Sequence, residues 1–172
     1  SLQQVQAGGA DLSAIAALPP EGVWSAPLAL DGIAVVVHPD NPLRTISLEQ
    51  LRRVLGGQIW HWQDLELDLD QEILVVSREE GSGARMVVED VLLEGECQPA
   101  LSNAAGEAQL QGCRSPLTTT ALIRPDSEAV IAFVAGNEGA IGYVSQGLLD
   151  ERVKVVRVEG LAPGEIRDGG YS

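Results

Sequence analysis

Aromatic residues are scarce, 3% of the chain, and no apolar run approaches the ~20 residues that a membrane-spanning helix needs. Even Ile33 to Val37 is short, so a bilayer span is excluded. Basic residues are few as well: 11 Lys and Arg stand against 25 Asp and Glu, a formal charge of −14. Such a chain repels phosphate backbones instead of condensing on them, which excludes nucleic acid as a partner. Histidine occurs only as His38 and His61, on different segments and with no nucleophile at motif spacing, so a hydrolytic triad is not expected and the chain does not read as an enzyme. Two cysteines are too few for a zinc site. Cys97 and Cys113 flank a stretch rich in Gly, Ser and Asn, where a loop-closing disulfide of an exported protein would contribute ~3 kcal/mol; two free thiols are the alternative. Ser1 to Ala7 carries neither the basic cluster nor the apolar stretch of a signal peptide.

What is present is a chain of 172 residues, 45% hydrophobic, able to bury a sizeable core. Its periodicity reads as α/β. Ala10 to Ala14, Val23 to Leu30 and Gly32 to His38 read as extended, the last as a continuous apolar strand buried on both faces. Ser47-Leu48-Glu49-Gln50 has the spacing of a capping box and opens a helix that Gly56-Gly57 ends. Ile73 to Ser77 predicts a strand, Glu79 to Gly83 a loop and Ala84 to Leu93 a helix. Asp126-Ser127 caps a further helix through Val134, followed by strands over Ala140 to Ser145 and Val153 to Val158. Strands alternating with helices imply a largely parallel sheet covered on both faces.

The segment richest in chemistry is Ser77-Arg78-Glu79-Glu80-Gly81-Ser82-Gly83-Ala84-Arg85. A buried strand that runs through a glycine loop straight into a helix leaves backbone N–H groups of the helix start unpaired at the strand's carboxyl end. Gly81 and Gly83 allow close approach of a ligand, Ser82 offers a hydroxyl that could also cap the helix, and Arg78 and Arg85 bracket the loop with guanidinium forks suited to oxyanions. The competing reading is a simple βα turn whose arginines pair with Glu79, Glu80 or Glu89. The loop is neither a Walker loop nor a nucleophile elbow.

Several motifs stand in a fixed order around this loop: Gly9-Ala10-Asp11-Leu12; Asp31-Gly32 through Asn41-Pro42; Leu48-Glu49-Gln50-Leu51 leading to Gly57-Gln58-Ile59-Trp60-His61-Trp62; the Arg78 loop; Gly139-Ala140-Ile141-Gly142-Tyr143-Val144-Ser145; and Asp168-Gly169-Gly170-Tyr171. In this combination the chain resembles the substrate-binding proteins of phosphate ABC importers, within the periplasmic binding protein superfamily. The resemblance implies a type II two-lobe α/β fold closing over one dehydrated oxyanion, with no cofactor. It implies residues 1–40 as a first-lobe portion and first crossing strand, 41–145 as a complete second lobe and 146–172 as a return to the first lobe. It assigns Arg78, Gly81, Ser82, Gly83, Ala84 and Arg85 to the ligand, with Glu80 as the carboxylate that orients the arginine. Ala84 departs from the family, which has a threonine there. The partners implied are phosphate or a similar oxyanion and a membrane permease, and the location is extracytoplasmic, periplasmic or cell-surface, with a lipid anchor on the full-length protein as one form of it.

Two departures weaken the expected site. The family's opening strand and glycine-rich anion loop would fall upstream of Leu2, and its proton-accepting carboxylate aligns near Ala16, with Asp11 at an earlier position. An incomplete first lobe predicts weak capture and an exposed sheet edge that invites a homodimer. The alternative function is therefore a degenerate binding fold serving as a sensor or protein-interaction module. Elsewhere the plainer readings hold the ground: Trp60, His61 and Trp62 as packing, Glu66, Asp68 and Asp70 as a solvated face, and Thr118 to Thr120 as strand or crossing segment.

Overall fold

The computed structural model describes residues 32–92 and 117–163. The expected strands over Ala10 to Ala14 and Val23 to Leu30, the positions Asp11 and Ala16, both cysteines, the closing Asp168 to Tyr171 and the sheet edge expected to pair with a second copy all lie outside these residues.

Six strands form one sheet in the order β2-β6-β1-β5-β3-β4, with β1 at Ile33–Val37, β2 at Thr45–Ile46, β3 at Leu74–Arg78, β4 at Leu122–Arg124, β5 at Ala140–Ser145 and β6 at Lys154–Val158. The β2/β6, β3/β5 and β3/β4 pairs are parallel, whereas β1 runs antiparallel to both its neighbours, β5 and β6. The sheet is thus mixed, where alternation of strands and helices predicts parallel pairing throughout. Residues that the sequence divides among three portions, from Ile33 to Val158, contribute strands to this single sheet.

Both faces of the sheet are covered. Helix α1, Leu48–Leu55, starts at the capping box: Ser47 Oγ accepts from the Gln50 N–H and Gln50 Oε1 from the Ser47 N–H, each at 3.0 Å. Its Leu51, Val54 and Leu55 pack with Trp62 against Val35, Val37, Val75, Ile141 and Tyr143. Trp62 is fully buried and donates from Nε1 to the Gly139 carbonyl at 3.0 Å, while Trp60 is 60% exposed and stands edge-on to His61. Leu69 is buried while Glu66, Asp68 and Asp70 are exposed, so the acidic residues do form a solvated face. Among the described residues no group of His, Cys, Asp or Glu could hold a metal ion, and no helix is long and apolar enough to cross a membrane.

On the opposite face lies the helix Ser127–Ala135, whose cap is Asp126: its Oδ1 accepts from the Ala129 N–H at 2.7 Å. Val130, Ile131 and Val134 pack on Val36, Val76, Ala140 and Val144. Gly142 makes this contact close, since a Cβ there would stand 2.9 Å from Val130 Cγ1 and 3.3 Å from Val134 Cγ2. Thr118 to Thr120 precede β4 as a turn instead of forming a strand, with their first and last hydroxyls 3.0 Å apart.

Candidate functional site

β3 ends at Arg78 and the chain turns through Glu79 to Ser82 into a short helix, α2, at Gly83–Val87. It continues as a π-helical turn, Val88–Leu92, in place of the uniform α-helix expected over Ala84 to Leu93. Gly81 has φ +84°, a left-handed backbone that a Cβ would strain, so glycine suits the tip of the turn. Ser82 takes the N-cap position with extended backbone, yet its hydroxyl makes no capping hydrogen bond. The expectation that Ser82 caps the helix is corrected on that point. The Met86 N–H bonds to the Ser82 carbonyl at 2.9 Å, and the N–H groups of Gly83, Ala84 and Arg85 have no partner among the described residues. Ser82 is buried, 7% exposed, while Gly83, Ala84 and Arg85 are partly exposed. The Ala84 methyl packs against the core.

The Arg78 guanidinium is fixed from two sides. Its Nε and Nη2 donate to the two carboxylate oxygens of Glu79 at 3.0 and 2.9 Å, its Nη1 donates to Ser127 Oγ at 3.0 Å, and Nη2 also reaches the Pro125 carbonyl at 3.3 Å. One Nη1 proton is left without a partner among the described residues. Ser127 arrives here because β3 and β4 are parallel, with Arg78 beside Arg124. The two strands end together, and the chain after β4 turns at Pro125 directly into the helix that Ser127 begins, α3. The carboxylate that holds the arginine is therefore that of Glu79. Glu80, expected in that role, is exposed.

Arg85 folds back over the same loop. It donates from Nε to Glu89 Oε1 at 2.7 Å, one helical turn on, and from Nη1 to the Arg78 carbonyl at 3.1 Å. Beneath the loop, Ser77 Oγ and the Tyr143 hydroxyl lie 2.6 Å apart and buried, tying β3 to β5. The electrostatics follow this pairing. The hydrogen bond from Arg78 holds the Glu79 carboxyl below its ordinary value, and the carboxylate in turn raises the guanidinium. Glu89 raises Arg85 in the same manner. Burial pushes the Tyr143 phenol up, against the opposing hydrogen bond with Ser77.

Of the residues singled out in the sequence, Arg78, Gly81, Ser82, Gly83, Ala84 and Arg85 all lie on this one turn. Both arginines are paired with carboxylates, as the simple-turn reading anticipates, while the Ser82 hydroxyl and the helix-start amides have no partner among the described residues. The two histidines lie apart from it: His38 accepts at Nδ1 from the Asp40 N–H at 3.1 Å, and His61 lies against Trp60. The end of β3 and the stretch after it thus carry donors of the kind that suit an oxyanion: an Nη1 proton of Arg78, the Ser82 hydroxyl and the amides of the helix start.

Comparison with known proteins bears on what such donors bind. A family model described as the PBP superfamily domain matches residues 6–163. The phosphate-binding protein PstS of Bacillus subtilis is 28% identical over 137 residues, covering 79% of this chain and 39% of its own length. A Clostridium perfringens structure with bound phosphate, assigned as a phosphate ABC transporter substrate-binding protein, is 33% identical with a TM-score of 0.60, covering 76% of this chain and 46% of that one. An ABC-type phosphate transport receptor from Vibrio cholerae is 27% identical with a TM-score of 0.70, covering 94% of this chain and 62% of that one. The chain spans less than two thirds of each of these relatives.

Proposed function

Since the chain belongs to the PBP superfamily, we propose that it serves as the solute-binding component of an ABC importer, taking phosphate or a related oxyanion at the turn after β3. The observation that carries this reading is the 33% identity to a phosphate-bound structure over 76% of the chain. In this proposal Arg78, the Ser82 hydroxyl and the amides of Gly83 and Ala84 contact the anion, with Gly81 shaping the turn and Arg85 clamping it. Glu80 keeps no orienting role, because Glu79 already holds Arg78. The body that carries the six-stranded sheet forms one lobe of the binding protein. The protein acts outside the cytoplasm and hands its anion to a membrane permease. No catalytic step, homodimer or lipid anchor forms part of the proposal.

Isothermal titration with inorganic phosphate tests it. Saturable binding is expected, and Arg78→Ala should weaken it by about tenfold to a hundredfold, because charge-assisted hydrogen bonds contribute about 1.5 to 3 kcal/mol each. Binding that survives this substitution unchanged would move the anion elsewhere. The second reading, a binding fold used as a sensor or interaction module without tight capture, is favoured by the Glu79 carboxylate seated on Arg78, and a titration without heat would support it.

A further inference from the structure

A guanidinium offers two edges from which it can donate a pair of parallel hydrogen bonds, and a third that carries a single N–H. In Arg78 both paired edges are engaged. Glu79 takes the Nε/Nη2 edge with its two oxygens, and Ser127 Oγ and the Pro125 carbonyl share the Nη1/Nη2 edge. The one proton left on Nη1 can make a single bond to a guest. A forked grip on an oxyanion therefore requires one of the present occupants to leave.

The two occupants are not equally movable. Ser127 is 5% exposed and begins a nine-residue helix packed on the sheet, so moving it disturbs the core. The Glu79 side chain is 43% exposed, against 15% for Arg78, and stands on the turn itself, so it can rotate into water without disturbing packing. Its carboxylate also matches an oxyanion in charge and in the spacing of its acceptors. We propose that Glu79 is an intramolecular stand-in for the ligand: it occupies the forked edge of Arg78 while the seat is empty, and an incoming oxyanion takes that edge as the Glu79 side chain swings out. Affinity is thereby set by competition between a tethered carboxylate and a free anion, which makes Glu79 an affinity-determining residue that works by opposition. This inference rests on the reading of the turn as an oxyanion seat.

The two can fail separately. Inorganic phosphate is titrated calorimetrically into the full chain and into its Glu79→Gln and Glu79→Ala variants, with circular dichroism to verify folding. Glu79→Gln keeps the shape of the side chain but not its charge, and Glu79→Ala removes the competitor. Both are expected to bind phosphate at least about tenfold more tightly than the wild-type chain, as loss of a charged, forked competitor implies. Binding by the wild type that both folded variants leave unchanged or weaken would overturn the inference alone and make Glu79 an orienting group. No binding by any of the three at millimolar phosphate would overturn the oxyanion reading and this inference with it.

Discussion

Arg78 is held at its Nη1 by a residue far along the chain, and the consequence can be measured. Ser127→Ala removes the 3.0 Å acceptor while leaving the Asp126 cap in place, so the loss should be about 1 kcal/mol in urea unfolding. Phosphate affinity should fall only a few-fold, about what a loosened guanidinium implies, since the forked edge on Glu79 is untouched. A loss of affinity as large as that of Arg78→Ala would make Ser127 a ligand in its own right. At this scale the sequence discloses the turn through its strand, glycines and helix start, and so points to Arg78 and Ser82. It does not single out Ser127, because helix capping accounts for Asp126-Ser127 without a ligand. The resemblance points to Glu80 as the orienting carboxylate, whereas Arg78 bonds to Glu79. The strict alternation of strand side chains ends at Arg78, so nothing in the pattern says which glutamate shares its side.

At the scale of elements, the contact between α3 and the sheet is set by a missing side chain. Gly142→Ala would drive a methyl to within 2.9 Å of Val130 Cγ1, and because Val130 and Val134 are buried, the helix must shift to admit it. Overpacking of this kind costs about 1 to 3 kcal/mol, visible as a lower urea midpoint with unchanged slope. Gly136→Ala, whose added Cβ would meet only ordinary contacts with Ala132 and Phe133 carbonyls, is the control that should change little. The elements themselves are largely legible. The capping box starts α1, and β5 spans the expected residues. What pattern could not supply is direction. A continuous apolar run such as β1 is buried on both faces whether it runs with or against its neighbours, and only its connections decide. The π-helical continuation of α2 is likewise unmarked by any glycine or proline in Val88–Leu92.

At the scale of the whole molecule, 25 acidic residues stand against 11 basic ones, and the guanidinium groups of Arg78, Arg85 and Arg152 each pair with carboxylates. Arg152 is the clearest case, donating to both oxygens of Glu128 at 2.7 and 2.8 Å and to Asp150 at 2.6 Å, so that it joins the start of α3 to the connection between β5 and β6. Its hydrogen bonds hold both carboxyls below their ordinary values. Groups with lowered values contribute stability above their unfolded pKa and lose it as pH falls through the folded one. Arg152→Met should therefore melt at a lower temperature than the wild type at neutral pH. That gap should begin to narrow as pH falls through the ordinary carboxyl values of 4.5 and 3.8 for these two groups and close only below their lowered folded values, as a series of thermal melts would register. A different consequence follows from Gln146, at the end of β5. Its backbone N–H bonds to the Gly32 carbonyl at 2.7 Å and its side-chain amide to the Pro163 carbonyl at 3.2 Å. The strand that enters the sheet and the segment that leaves it are thus pinned to one glutamine. Gln146→Ala should therefore release the Pro163 end while sparing the backbone bond to Gly32, so that limited proteolysis near Pro163 quickens while β1 stays protected.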